Sequence, residues 1–530
     1  MRYRLLNGKP MSELIKSLPG LPAQAAAYYA QGWWRHGTFL DDLETMVHAA
    51  ADRPAYINVR TLLSETVTVT FGELAQRVEQ IAAVLWARGV RPGQVVALQL
   101  PNWWEAGALW LACGRVGAAT VSLTPVTGAR ERELTTVSTQ AGLLVTVDDS
   151  DARGCGPASI ISIDALLRDA ASAVPLSAAE RPTVRADDVC QVLCTSGTTG
   201  RPKAVLHTHN TRYAALRAAL AHMPENCVTA VISQLTHAVA LTFNLLAPLA
   251  TGQPSVFTDT RASEAWLDLL AQHGVNCLVA APRSLGELAH AQRLQPRDLR
   301  ELKQVISIAA PLPAPVAADV RTSLCPRVVN IYGMTESGTV TATRPEDPTV
   351  SAERSLGRPV PTMQIRLTDT TSSQAGRLHV RGPGLCRGMS DLRTRRLLWS
   401  PAHDEGWYDT GDLVQADGHG NLRYLSRAAD RIGWGYVIPV AEVEGELLEH
   451  PQVAEVAIVG VPDAEGHEIA CAVVVPRDTP PSLHELLAFL RARNMTEWYL
   501  PARLAIVSTL PRTPLGKVRK DRVRQQVTAA

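Results

Sequence analysis

The stretch Leu193-Cys-Thr-Ser-Gly-Thr-Thr-Gly-Arg-Pro-Lys-Ala-Val205 decides how this chain is read. A strand-like run, CQVLC, leads directly into Thr195, Ser196, Thr198 and Thr199, interleaved with Gly197 and Gly200 and followed by Lys203. Glycines let backbone N–H groups converge on an anion, hydroxyls donate to its oxygens, and a lysine adds positive charge. The stretch is a candidate phosphate cradle, with a plain Ser/Thr/Gly surface turn as the blander reading. Its spacing lacks the adjacent Gly-Lys-Ser/Thr of a Walker loop, which disfavours an ordinary P-loop nucleotidase.

Outward from this loop the chain alternates between strand and helix patterns. FGELAQRVEQIAAVLWARGV, from Phe71, carries apolar residues at helical spacing and ends on Gly89; QVVALQL, NWWEAGALWLACGRVG and ATVSLTP then read as strand, helix and strand. That rhythm implies a parallel sheet covered by helices. It resumes with CVTAVIS, NCLVAAP, QVISIAA and RVVNIYG, separated by covering helices such as SEAWLDLLAQHG. Residues 350–425 are punctuated by Gly and Pro between short strands, and read as a β-rich subdomain. After Arg427 the patterns fit a compact α+β domain.

Composition excludes several classes. With 52 Lys+Arg against 51 Asp+Glu, the net charge of +1 supplies no global drive toward nucleic acid or an anionic membrane. Nine cysteines, scattered and without a CxxC pair, argue against a disulfide framework or a structural zinc site. No apolar run approaches the length of a membrane span, and the start, MRYRLLNGKPMSELIK, lacks the apolar core of a signal peptide. The expected setting is soluble and cytoplasmic.

The phosphate loop resembles, residue by residue, the signature of the adenylate-forming superfamily: acyl-CoA synthetases, peptide-synthetase adenylation domains and luciferases. Further matches follow in that family's order: Tyr332-Gly-Met-Thr-Glu336, Tyr408-Asp-Thr-Gly-Asp412, Arg427, and Pro511-Arg-Thr-Pro-Leu-Gly-Lys517. The resemblance spans roughly residues 60–525, and QLPNWWE at 99–105 with RERE at 130–133 is nearest to cyclohexanecarboxylate-type and medium-chain acyl-CoA ligases.

The resemblance implies an α/β fold. A large N-terminal domain (1–428) would hold parallel sheets with covering helices plus the β-rich subdomain, and a small mobile α+β C-terminal domain would occupy 429–530. It also implies a reaction in which a small carboxylic acid attacks ATP to give acyl-AMP and pyrophosphate, and CoA then takes the acyl group. The nucleotide would be held by Thr195, Ser196, Gly197, Thr198, Thr199, Gly200, Lys203, Ala310, Pro311, Tyr332, Gly333, Met334, Thr335, Asp412 and Arg427. Glu336 would ligate Mg2+, since a hard ion takes a carboxylate alongside phosphate oxygens and waters. Lys517 would bridge the carboxylate and the α-phosphate in the transition state. His237, within SQLTHAVALTFNLLAPLATG, would sit beside the acyl pocket and Phe243 would wall it, although a lone histidine after a strand is often only structural.

Three positions depart from the pattern. The hinge residue is Ala429 where the family carries a charged side chain. The loop around Gly435, expected to line the thiol's approach, is one residue shorter and holds Trp434 and Tyr436; Arg377 replaces the usual acidic residue of a Gly-Glu-Leu. These changes put an efficient two-step reaction in question, because a hinge must keep two orientations nearly balanced. Two alternatives follow: an adenylating enzyme that loads an acyl carrier protein's thiol, or a degenerate member performing one half-reaction.

Overall fold

The computed structural model describes residues 10–148, 158–195, 202–344, 355–370, 375–427, 432, 438, 440–463, 468–493, 495, 497–513 and 516–528. Local signals resolve into elements much as their periodicity requires. The helix Phe71–Ala87 opens with a reciprocal cap: Thr70 Oγ1 accepts from the Glu73 N–H, and the Glu73 carboxylate accepts from the Thr70 N–H. Its inner face carries Phe71, Leu74, Val78, Ile81 and Leu85 at three- and four-residue spacing.

Two large sheets form the body. In the first, the strands Val328–Met334, Gln304–Ile308, Cys277–Ala280, Thr229–Ile232, Ser255–Thr258 and Pro54–Arg60 run parallel in that spatial order. Antiparallel strands Gly338–Ala342 and Glu65–Thr70 flank them. In the second, Val189–Thr195, Ala119–Ser122, Val95–Gln99, Leu143–Thr146 and Ser159–Ser162 are parallel neighbours. Strands buried on both faces read as continuous apolar runs, as VVALQ and CLVA do. The helix Trp104–Arg115 is buried nearly all round within the largest apolar core.

The β-rich stretch forms a four-stranded antiparallel sheet, ordered Gln364–Thr368, Ala375–Arg381, Tyr408–Ala416, Leu422–Arg427. Beyond it, Val453–Pro462, Glu468–Pro476 and Arg503–Ile506 make a three-stranded sheet with cores on both faces. One face packs Val443, Leu447, Ile458 and Leu486; the other packs Val459, Val473, Val523 and Val527. The architecture is the α/β arrangement of parallel sheets and covering helices, with a β-rich sheet and a small α+β part, that the resemblance implied.

An N-terminal arm was not legible in the patterns. Tyr28 and Trp34 meet edge to face at 5.1 Å, and Trp34 Nε1 donates to the Pro383 carbonyl at 2.9 Å, so the arm is tied to a segment about 350 residues away in sequence. Among the described residues, no helix is long and apolar enough to cross a membrane.

Candidate functional site

The phosphate-type loop joins two antiparallel neighbours, Val189–Thr195 and Lys203–Thr208, whose register sets Thr195 opposite Lys203. A hairpin brings the two ends of the loop together at the margin of the parallel strands. Ser196, Gly197, Thr198, Thr199 and Gly200 themselves lie outside the described residues. Lys203 is half-buried, and its ammonium makes no hydrogen bond or ion pair to another described residue, so it is available to an anion.

The Tyr332–Glu336 motif straddles the end of the strand Val328–Met334. A bulge between Tyr332 and Gly333 turns the chain against Gly338, and a Cβ at Gly333 would lie 2.2 Å from the Gly338 carbonyl oxygen. Only glycine fits that approach. Met334 closes the strand and pairs with Gly338. The turn beyond is held from two sides. The Cys386 N–H donates to the Glu336 carbonyl at 2.7 Å, and His207 Nε2 lies 2.8 Å from the Thr335 carbonyl.

His207 was not singled out from sequence; its only signal is its place in the polar run HTHN, which begins at the end of the strand Lys203–Thr208. A carbonyl can only accept, so His207 is protonated on Nε2, and Nδ1 accepts from Thr211 Oγ1 at 3.0 Å. Burial, aided by the Arg212 charge, pulls its pKa down to about 3, which keeps the ring neutral.

Tyr332, Asp412 and Arg427 meet although they come from three strands of two sheets. The Tyr332 hydroxyl donates to Asp412 Oδ2 at 2.5 Å. Arg427 faces Asp412 across adjacent strands, its Nε 3.0 Å from Oδ1, and its Nη1 donates to the Thr410 carbonyl at 2.7 Å. Asp412 is buried, and Oδ1 has no aligned hydrogen bond. Burial pushes its carboxyl above the ordinary range, against the pull of Arg427, of the Tyr332 hydroxyl and of the Lys517 ammonium. A buried carboxylate oxygen with an open lone pair suits a ligand hydroxyl.

Ala309, Ala310 and Pro311 lie exposed beyond the end of the strand Gln304–Ile308. Ala309 has φ +75°, a conformation that costs a non-glycine residue energy and is concentrated at functional sites. Lys517 belongs to a tight turn: Gly516, at φ +80°, donates its N–H to the Thr513 carbonyl, while Lys517 donates its own to Thr513 Oγ1. Arg512 braces the turn by donating to the Gly516 carbonyl at 2.6 Å and pairing with Glu455 at 2.7 Å. The exposed Lys517 ammonium lies close enough to lower the Asp412 carboxyl, so the C-terminal turn and this buried carboxylate share one electrostatic environment.

His237 precedes a short helix that widens into a π-helical turn over Leu241–Leu246, a feature common at functional sites. Its Nε2 is buried without a partner among the described residues, and burial, with the Arg261 charge, lowers its pKa to about 4. Phe243 is buried in an apolar cluster with Val279, Ile306 and Ile331. Arg377 pairs with Asp409 at 2.7 Å. Ala429 and Gly435, with Trp434 and Tyr436, fall outside the described residues. Among the described residues, no group of three or more His, Cys, Asp or Glu side chains could hold a metal by itself.

A Thr/Ser/Gly-rich hairpin, a buried carboxylate held by Tyr332 and Arg427, and a lysine within its electrostatic reach fit a nucleotide-dependent ligase of the adenylate-forming class. The chain belongs to the AMP-binding enzyme family: residues 43–389 match that family, and residues 442–517 match the AMP-binding enzyme C-terminal domain. It is an ATP-dependent, AMP-forming acid–thiol ligase. It is 28% identical to the medium-chain fatty-acid–CoA ligase of Escherichia coli strain K12, over 95% of this chain and 92% of that one. It is 29% identical to the salicyl-AMP ligase / salicyl-S-ArCP synthetase of Mycobacterium tuberculosis H37Rv, over 96% and 94%. Among solved structures, the o-succinylbenzoate coenzyme A synthetase of Bacillus subtilis in complex with AMP superposes with a TM-score of 0.81, at 26% identity, covering 94% of this chain and 99% of that one.

Proposed function

We propose that this enzyme condenses a small carboxylic acid with ATP to form acyl-AMP and transfers the acyl group to the thiol of CoA. The observation that carries the reading is the joint environment of Asp412: Tyr332 and Arg427 hold it, and the Lys517 charge reaches it. That arrangement suits adenylation, in which an anionic acid must approach an anionic phosphate. Lys517 would neutralise the charge that develops there. Asp412 would accept the ribose hydroxyls, with Arg427 beside it; Tyr332 and the Ala309–Pro311 turn would flank the base. Thr335, with Gly333 and Met334, would border the α-phosphate, opposite the 195–203 loop and Lys203.

Mg2+ fits Glu336. A lone carboxylate, with no three-ligand cluster among the described residues, suits an ion that takes most of its ligands from phosphates and waters. When bound, the ion would offset phosphate charge. His237, neutral and with Nε2 open, would stand beside the acyl group. We place the domain division at 1–428 and 429–530 with Ala429 as the hinge, and the enzyme in the cytoplasm.

A second acceptor is favoured by one finding, the likeness to the salicyl-S-ArCP synthetase: the acyl group would then go to a carrier protein's thiol. The test is an acid panel assayed separately for pyrophosphate release and for thioester formation with CoA or with a phosphopantetheinylated carrier protein. Pyrophosphate release followed by CoA thioester supports the main reading, and thioester on the carrier alone supports the second. Pyrophosphate release with no thioester on either thiol would point to a single half-reaction.

A further inference from the structure

Arg212 is a fully buried arginine whose charge no carboxylate among the described residues balances. It lies on the helix His209–Leu220, is 1% exposed, and donates from Nη2 to the Ala238 carbonyl at 2.9 Å and to Thr242 Oγ1 at 2.5 Å. Those two bonds use one edge of a guanidinium that offers five N–H donors, and Nε is buried without a partner among the described residues. The ionisable groups around it are the neutral His207 ring and the Cys190 thiol, which burial pushes up to about 12. No carboxylate of a described residue pairs with it. A second cation, the exposed Arg261, is felt at His237, five residues before Thr242, and also makes no ion pair with a described residue.

Burying an uncompensated charge costs several kcal/mol, and removing one partner of a buried ion pair is costly for the same reason. A site that keeps such a cation next to its substrate segment is built to receive an anion. We propose that Arg212 receives a second carboxylate on the acid substrate, so that the enzyme acts on dicarboxylic acids. This rests on the reading that the segment from His237 to Phe243 walls the acyl site. The reacting carboxylate belongs at the Lys517 and Thr335 end. Arg212 is anchored to Ala238 and Thr242, one helical turn apart, which is ~6 Å of rise. The second carboxylate would face the unused Nε and Nη1 edge. The pair would be charge-assisted and shielded from water, and an uncharged alkyl tail in its place would leave the guanidinium uncompensated.

The test compares straight-chain monocarboxylic acids with α,ω-dicarboxylic acids of equal length, and benzoate with its ring dicarboxylates. Pyrophosphate release is followed in the wild type, Arg212→Met and Arg212→Lys. The expected result is a kcat/KM for at least one dicarboxylate about tenfold or more above its monocarboxylate partner in the wild type. Arg212→Met should erase that preference while leaving monocarboxylates within about threefold, and Arg212→Lys should retain part of it. A wild-type preference for monocarboxylates overturns the proposal. So does an equal loss for both classes in Arg212→Met, which would mark Arg212 as a pin for the π-helical segment or a partner of the reacting carboxylate. If Arg212→Met does not fold, the wild-type preference and the Arg212→Lys comparison decide. If no acid releases pyrophosphate, the adenylation reading has failed. Arg212 is then judged by whether dicarboxylates raise the wild-type melting temperature more than monocarboxylates do, and equal shifts overturn it.

Discussion

His207 Nε2 sits 2.8 Å from the Thr335 carbonyl oxygen, so a fully buried imidazole on the strand that leaves the phosphate-type hairpin holds the turn carrying Thr335 and Glu336. Nε2 can donate in either protonation state, but Nδ1 can accept from Thr211 Oγ1 only while the ring is neutral, and burial keeps it so. The Nε2 bond links the strand Lys203–Thr208 to the Thr335–Glu336 turn, 128 residues apart in sequence from His207 to Thr335, through one side chain.

Burial of this ring predicts a pH dependence of stability. The folded His207 resists protonation until about pH 3, and His209 and His237 until about 4, whereas the unfolded chain binds these protons near pH 6.5. The unfolded state therefore holds more protons across this window. Stability is fully present above about pH 6.5 and falls as pH drops, by up to ~1.4 kcal/mol per pH unit for each histidine. Urea denaturation at pH 7, 6 and 5 should show the fall. His207→Gln, whose amide can still donate to Thr335, should have a shallower slope, and an unchanged slope would show that His207 does not titrate this way.

Lys517→Ala should lower pyrophosphate release by about a hundredfold, or ~3 kcal/mol, with the melting temperature nearly unchanged. The side chain is exposed and its turn is held by backbone groups of Thr513 and by Arg512, so its loss costs little packing. Transfer from pre-made acyl-AMP to CoA should suffer far less. Near-normal pyrophosphate release in this variant would remove Lys517 from the reaction.

Asp412→Asn should weaken nucleotide binding more than it slows turnover. The amide keeps the shape but loses the charge opposite Arg427 and an acceptor for Tyr332, and bonds to charged groups contribute about 1.5–3 kcal/mol. The KM for ATP and the Kd for AMP should rise at least about tenfold at that cost. Equal affinities would show that Asp412 only braces the strands.

Glu336→Gln should raise the Mg2+ concentration needed for half-maximal pyrophosphate release while leaving acyl-AMP binding close to wild type, because an amide oxygen lacks the charge a hard cation requires. A superimposable magnesium titration would exclude Glu336 as a ligand.

Much of this molecule was legible in one dimension, because its signals are local. The helix Phe71–Ala87 carries its cap and its apolar stripe within one stretch, and doubly covered parallel strands such as Cys277–Ala280 announce themselves as unbroken apolar runs. The family motifs are short and keep their order, so Thr195, Lys203, Tyr332, Glu336, Asp412, Arg427 and Lys517 could be named from them. What the tertiary structure alone decided is which of these groups meet. Tyr332 bonds Asp412 across 80 residues, and Arg427 reaches the same carboxylate through a cross-strand register; neither spacing has a periodicity to betray it. His207 and Arg212 were invisible for a further reason. A histidine or arginine shortly after a strand reads as surface or structure until burial is known, and burial is a property of everything packed around it. The neutrality of His207 and the uncompensated charge of Arg212 exist only because sheets and helices distant in sequence exclude water from both.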